Sequence, residues 1–219
     1  MDCIENTADI LVYAIPKVGT KTITASLSRI GILIAKEHSL SGRHPIDSQI
    51  EDNASINLRS EILKNHAPIK IITAAREPVS RKLSSFFQDL GSYGISSVMQ
   101  PSTMFLSQIS EFVQQKENAA NNITRKDLFD WFDQELKAVF GIDVYAHPFD
   151  KEKEYSIIRQ NNIEVLVLKL EKLNDLEQVI GDFVGAPHVK LVNANEAIDK
   201  PYKYLYNNMR AYKIGRAHV

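Results

Sequence analysis

Short apolar runs alternate with amphipathic stretches along this chain. Asp9–Ile15, Ile69–Ala75 and Ile163–Lys169 are apolar, largely β-branched runs of strand length, and 31–36 is a fourth. A further short strand is expected near 155. Between them lie segments of helical period at 21–30, 55–65, 78–90, 103–116, 124–139, 171–184 and 200–212. Strand and helix in alternation predict an α/β fold: a parallel β-sheet flanked by helices and joined by right-handed crossovers. No fixed-period repeat, low-complexity tract or long linker divides the chain, so 1–219 reads as a single domain. Its 219 residues and 44% apolar content suffice for a substantial core. In such sheets ligands sit at the carboxyl ends of the strands.

The most informative stretch follows the first strand. Val12-Tyr-Ala-Ile-Pro-Lys-Val-Gly-Thr-Lys-Thr-Ile-Thr-Ala-Ser-Leu27 passes from a strand through a short Lys/Gly/Thr loop into a helix. A glycine lets the backbone bend toward an anion, and the first N–H groups of the helix lack intrahelical partners and point at it. Lys17 and Lys21 add charge, and Thr20 and Thr22 add hydroxyl donors. The loop is not a nucleoside-triphosphate P-loop of the Gly-x-x-x-x-Gly-Lys-Ser/Thr kind: with Lys21-Thr22 as the final pair, the required glycines fall on Ile15 and Thr20.

A second candidate anion site follows the strand at 69–75. Arg76 stands at its carboxyl end, Pro78 suits the first turn of a helix, and Ser84 lies eight positions beyond Arg76. An arginine offers a planar fork to phosphate, and a serine two helical turns on can face the same way. Phe86 and Phe87 occupy adjacent helix positions that point to different faces, which suits core residues better than a base-stacking platform.

Taken together, Pro16-Lys17-Val18-Gly19-Thr20 and the Arg76/Ser84 pair resemble the two phosphate motifs of sulfotransferases that use 3′-phosphoadenosine 5′-phosphosulfate (PAPS). Ile163–Gly185 is similar to the late strand and helix of that family. Asp199-Lys-Pro-Tyr-Lys-Tyr-Leu-Tyr206 is similar to a Lys/Tyr-rich segment of bacterial proteins of capsular polysaccharide synthesis. The resemblance spans roughly residues 9–212 and is tight only in the two phosphate motifs. It implies a three-layer sandwich like that of the P-loop NTPases, of the sulfotransferase type. It also implies transfer of a sulfuryl group from PAPS to a hydroxyl, on a carbohydrate or capsular polysaccharide, with adenosine 3′,5′-bisphosphate as product and no metal.

The resemblance further assigns Lys17, Val18, Gly19, Thr20, Lys21 and Thr22 to the 5′-phosphate, and Arg76 and Ser84 to the 3′-phosphate. Lys17 would stabilise charge developing on the bridging oxygen. The family usually carries Thr and an aromatic where this chain has Lys21 and Thr22. An acceptor hydroxyl also needs a general base. His38 is the first choice, because it falls just past the second strand beside the phosphate turn, and His38-Ser39-Leu40 resembles the His-x-Leu of capsule-type sequences. Glu37 and His44 are the alternatives.

Composition narrows the remaining classes. A formal net charge of -1 gives no global electrostatic case for nucleic acid, so anion binding must be local. The single cysteine, Cys3, leaves no internal disulfide framework or cysteine metal cluster. No window approaches the roughly 18 apolar residues of a membrane span, and the N-terminus is acidic where a signal peptide is basic. Sequence therefore points to a cytoplasmic protein, with a peripheral place at the inner membrane left open. The segments 38–54 and 91–102, polar or Gly/Ser-rich beyond strand ends, suit acceptor recognition. Lys213–Val219 resembles a translated sequencing adapter and is left out of fold reasoning. No basic lid aligns after residue 212, so the lid is built differently or the chain is truncated. Two rivals remain open: a small-molecule kinase, which would need a carboxylate near Thr73-Ala74-Ala75, and a binding protein that has kept the nucleotide site and lost turnover.

Overall fold

The computed structural model describes residues 10–41, 69–88, 130–192, 202–203 and 206–207. The chain divides into two compact units, Met1–Arg76 with Trp131–Ala194, and Glu77–Asp130 with Asn195–Val219. The first unit holds a five-stranded sheet built from β1 (Ile10–Tyr13), β2 (Ile34–Glu37), β3 (Ile69–Ala75), β4 (Tyr155–Gln160) and β5 (Ile163–Lys169), in the order β2-β1-β3-β5-β4. β1 is buried along its whole length, as befits an inner parallel strand covered on both faces.

The sheet is mixed, which corrects the expectation of a parallel sheet. β1, β2, β3 and β5 run parallel, and β4 pairs antiparallel with β5 from Tyr155↔Leu168 to Gln160↔Ile163. The cause is local. Only Asn161 and Asn162 separate the two strands, too short a link for a parallel crossover, and Asn161 turns the chain at φ 53°. An asparagine tolerates that left-handed bend better than most residues.

Helices cover both faces of the sheet. Tyr13 packs edge-on against Trp131 and Phe140, at centroid distances of 5.0 and 5.9 Å, so the helix over 131–140 lies on its face. Lys70, of opposite parity by the β1–β3 register, donates its Nζ to the Phe183 carbonyl at 2.7 Å. This places the helix Glu177–Val184 on the other face. The helix Thr20–Ser28, here α1, buries Thr20, Thr22, Ile23, Ser26 and Leu27.

Three boundaries differ from the sequence expectation for physical reasons. The strand expected from residue 31 begins at Ile34, because residues up to 32 are spent ending α1. Ile32 N–H bonds to Leu27 carbonyl and Gly31 N–H to Ser28 carbonyl, a Schellman termination with Gly31 at φ 82°. The helix expected over 171–184 is a 3-10 segment, Leu170–Leu176, followed by an α-helix from Glu177. Within 131–140, Asp133–Lys137 is a π turn. β3 and β5 match their expected ranges. The helices expected at 55–65 and 103–116 lie outside the described residues, as do the starts of that at 124–139 and most of that at 200–212.

The second unit carries the helix Pro78–Gln88. Glu77 caps it, accepting the Ser80 N–H at 2.7 Å. Phe87 is buried, stacked on Tyr202 at 5.2 Å and edge-on to Tyr206 at 5.6 Å, in keeping with a core role.

Candidate functional site

Strand order locates the site before any side chain is considered. From β1 the chain moves to β2 on one side, and β3 then lies on the other side of β1, so the carboxyl ends of β1 and β3 flank a topological switch point. The turn Ala14–Gly19 leaves β1 there, and Arg76 follows β3 there. The two are joined: Arg76 Nη1 donates to the Lys17 carbonyl at 2.9 Å.

The turn is held in an unusual shape. Lys17 has φ 73° and Gly19 φ 83°. For a residue with a side chain the left-handed region costs about 1–2 kcal/mol, so the lysine is kept there by its surroundings. Val18, between them, is fully buried and anchors the loop. Gly19 presses on the 3-10 segment after β5: a Cβ there would stand 2.5 Å from Leu170 Cδ1 and 3.3 Å from Leu173 Cδ2. α1 starts at Thr20 with no side-chain cap and no acidic residue in its first turn, so the helix's own first turn supplies no carboxylate to its N-terminus. Thr20 and Thr22 are buried, and Lys21 is exposed.

His38 lies one residue past β2, beside the turn. Its Nδ1 is 2.7 Å from the Ala14 carbonyl, a pure acceptor, so Nδ1 carries the hydrogen. In the neutral ring this fixes Nε2 as the acceptor nitrogen. Glu37, the last residue of β2, pairs in register with Tyr13. Ser84 is half-buried on the helix of the second unit, and His44 lies outside the described residues.

A buried carboxylate completes this region, and no sequence expectation identified it. Glu135, in the π turn, has no exposed surface. Its Oε1 accepts from Ser39 Oγ at 2.7 Å and Ser41 Oγ at 2.6 Å. Its Oε2 accepts from the Leu40 and Ser41 N–H groups, each at 3.0 Å, and from the Tyr13 hydroxyl. One turn earlier on the same helix, Trp131 Nε1 donates to the His38 carbonyl at 3.0 Å. The available signal was spacing: Trp131, Glu135 and Val139 recur every fourth residue, which sets a carboxylate on the apolar stripe of a helix.

Among the described residues, no cluster of three or more His, Cys, Asp or Glu side chains could hold a metal ion, and no helix is long and apolar enough to cross a membrane. No curated protein and no solved structure matches the chain. Residues 108–215 match the model of the NKWYS family, described as "Putative capsular polysaccharide synthesis protein". The matched stretch includes Glu135, Trp131, β4 and β5, and it supports a capsular-polysaccharide-related family for this chain.

Proposed function

We propose that this protein is a sulfotransferase of capsule biosynthesis, moving a sulfuryl group from PAPS to a hydroxyl of a carbohydrate acceptor in the cytoplasm. The observation that carries the reading is the hydrogen bond from Arg76 to the Lys17 carbonyl across the switch point, which supports taking these two residues as parts of one anion site. Left-handed bends at Lys17 and Gly19 curl the main chain in the manner of anion-binding turns, and the uncapped start of α1 adds N–H groups and a favourable dipole. The capsular family match favours a polysaccharide acceptor.

Each residue has a task in this reading. The main chain of Val18 to Thr22 binds the 5′-phosphate, and Arg76 serves the 3′-phosphate. Lys17 neutralises charge gathering on the oxygen between phosphorus and sulfur as the sulfur–oxygen bond breaks. His38 Nε2 takes the proton of the acceptor hydroxyl as its oxygen bonds to sulfur, and adenosine 3′,5′-bisphosphate departs. The bond from Nδ1 to Ala14 presents the ring in the tautomer a base needs.

Calorimetry and turnover of labelled donor test the reading. Adenosine 3′,5′-bisphosphate should bind and raise the melting temperature where ATP with magnesium does not, and Lys17→Met should abolish transfer. His38→Gln should lower kcat by roughly 100-fold or more while nucleotide affinity holds. No heat with adenosine 3′,5′-bisphosphate, or equal stabilisation by ATP and magnesium, sinks it.

A further inference from the structure

We propose that Glu135 is a positioning residue for transfer, holding His38 in place through the segment 39–41 and Trp131. This rests on the reading of His38 as the base. Two strands bear on that histidine. Its ring is tied to Ala14, but its main chain is at the end of β2, the outermost of the described strands, where β1 supports one side. Beyond His38 the chain leaves the sheet, and its next three residues all bond to the Glu135 carboxylate: Ser39 by its hydroxyl, Leu40 by its N–H, and Ser41 by both. The fifth donor is Tyr13, the β1 residue just before Ala14. One carboxylate thus clamps both main-chain stretches that position the His38 ring, the strand end that bears it and the strand that accepts its Nδ1–H.

Trp131 closes the arrangement from the same helix. Its indole N–H reaches the His38 carbonyl, and its ring lies edge-on to Tyr13. The carboxylate suits this task because it is acceptor-only when ionised, and all five groups that meet it are donors. An amide in its place keeps one acceptor oxygen and turns an NH2 toward donors. The π turn is the backbone form often found where a helix is shaped for a function, and here Glu135 lies within it. No observation requires Glu135 to touch substrate; its influence runs through His38.

Trp131 is the only tryptophan, so its indole N–H gives a single reporter signal at the His38 carbonyl. Two variants test the proposal, Glu135→Gln and the milder Ser41→Ala, which removes one donor and keeps the carboxylate. Both should shift the indole resonance and the His38 ring signals while leaving affinity for adenosine 3′,5′-bisphosphate unchanged. Glu135→Gln should lower kcat by about 10- to 100-fold, the scale of an ångström-sized misplacement, and Ser41→Ala by less. In a His38→Ala background Ser41→Ala should cost no further rate. If Glu135→Gln does not fold, Ser41→Ala decides alone. Unmoved indole and His38 signals overturn the proposal, as does a Ser41→Ala rate loss that persists without His38, or a variant whose only defect is lower stability. If the wild-type protein neither binds the nucleotide nor turns over donor, the transferase reading fails by itself, and the resonances still report whether Glu135 holds His38.

Discussion

Replacing Gly19 by alanine adds one methyl group where the turn between β1 and α1 rests on the segment after β5. Two costs arise and can be separated. The first is conformational: at φ 83° a residue with a Cβ is strained by about 1–2 kcal/mol, partly offset by about 0.4–1 kcal/mol from the stiffer unfolded chain. The second is steric. The new carbon would lie 2.5 Å from Leu170 Cδ1 and 3.3 Å from Leu173 Cδ2, an overpacking of the kind that costs about 1–3 kcal/mol. Gly31 is an internal control, since it has φ 82° but a Cβ added there would meet nothing within 4 Å among the described residues. Gly31→Ala should therefore show the first cost alone. The difference between the two variants, about 1–3 kcal/mol, corresponds to roughly 2–12 °C in melting temperature for a chain of this size. Leu170→Ala should remove the clash, so the double variant Gly19→Ala/Leu170→Ala should be less destabilised than the sum of the singles. Thermal and urea unfolding of the four proteins measures all of this. Equal losses for Gly19→Ala and Gly31→Ala, or strict additivity with Leu170→Ala, would refute the close packing of turn and 3-10 segment.

Three further outcomes follow from single sites. Lys17→Gly relieves a left-handed bend and should leave the fold unchanged to about 1 kcal/mol more stable while transfer is lost, as scored by unfolding midpoint and turnover; a loss above about 1 kcal/mol counts against the strain. Thr73 is buried in β3, and its hydroxyl has no hydrogen-bond partner among the described residues. Thr73→Val should therefore stabilise the protein by about 1 kcal/mol in urea unfolding, and destabilisation would show that the hydroxyl has an unrecognised role. The Leu191 N–H, and after it Lys190, hold the Glu177 carboxyl below its ordinary value of 4.5. The folded state thus binds that proton more weakly than the unfolded chain, so the contribution is present above about pH 4.5 and fades as pH falls through the lower native value. Glu177→Gln should be less stable near neutrality and lose less on acidification; equal acid losses in both proteins would contradict the assignment.

Local chemistry made much of this protein legible. The runs 69–75 and 163–169 read as inner strands because buried parallel strands are apolar on both faces, and the structure has strands over those residues. The turn from β1 into α1 was readable because a glycine after a strand and before a helix has few other uses. β4 was less clear, although Asn161-Asn162 between two apolar runs is a reversal signal that argues for antiparallel pairing. The segment 38–54 reads as a polar loop suited to acceptor recognition, whereas three of its first four residues, Ser39, Leu40 and Ser41, bind inward to Glu135 through four groups.

The sequence by itself determined the elements and the charged residues at their ends, since strand runs, glycine bends and helix starts are set by neighbours a few positions away. Only the tertiary structure decided which ends meet. Arg76 and Lys17 come together because β1 and β3 are adjacent strands, and Glu135 finds Tyr13 across 122 positions of chain. A buried carboxylate is tolerable only when donors surround it, and those donors come from segments whose proximity no local pattern encodes.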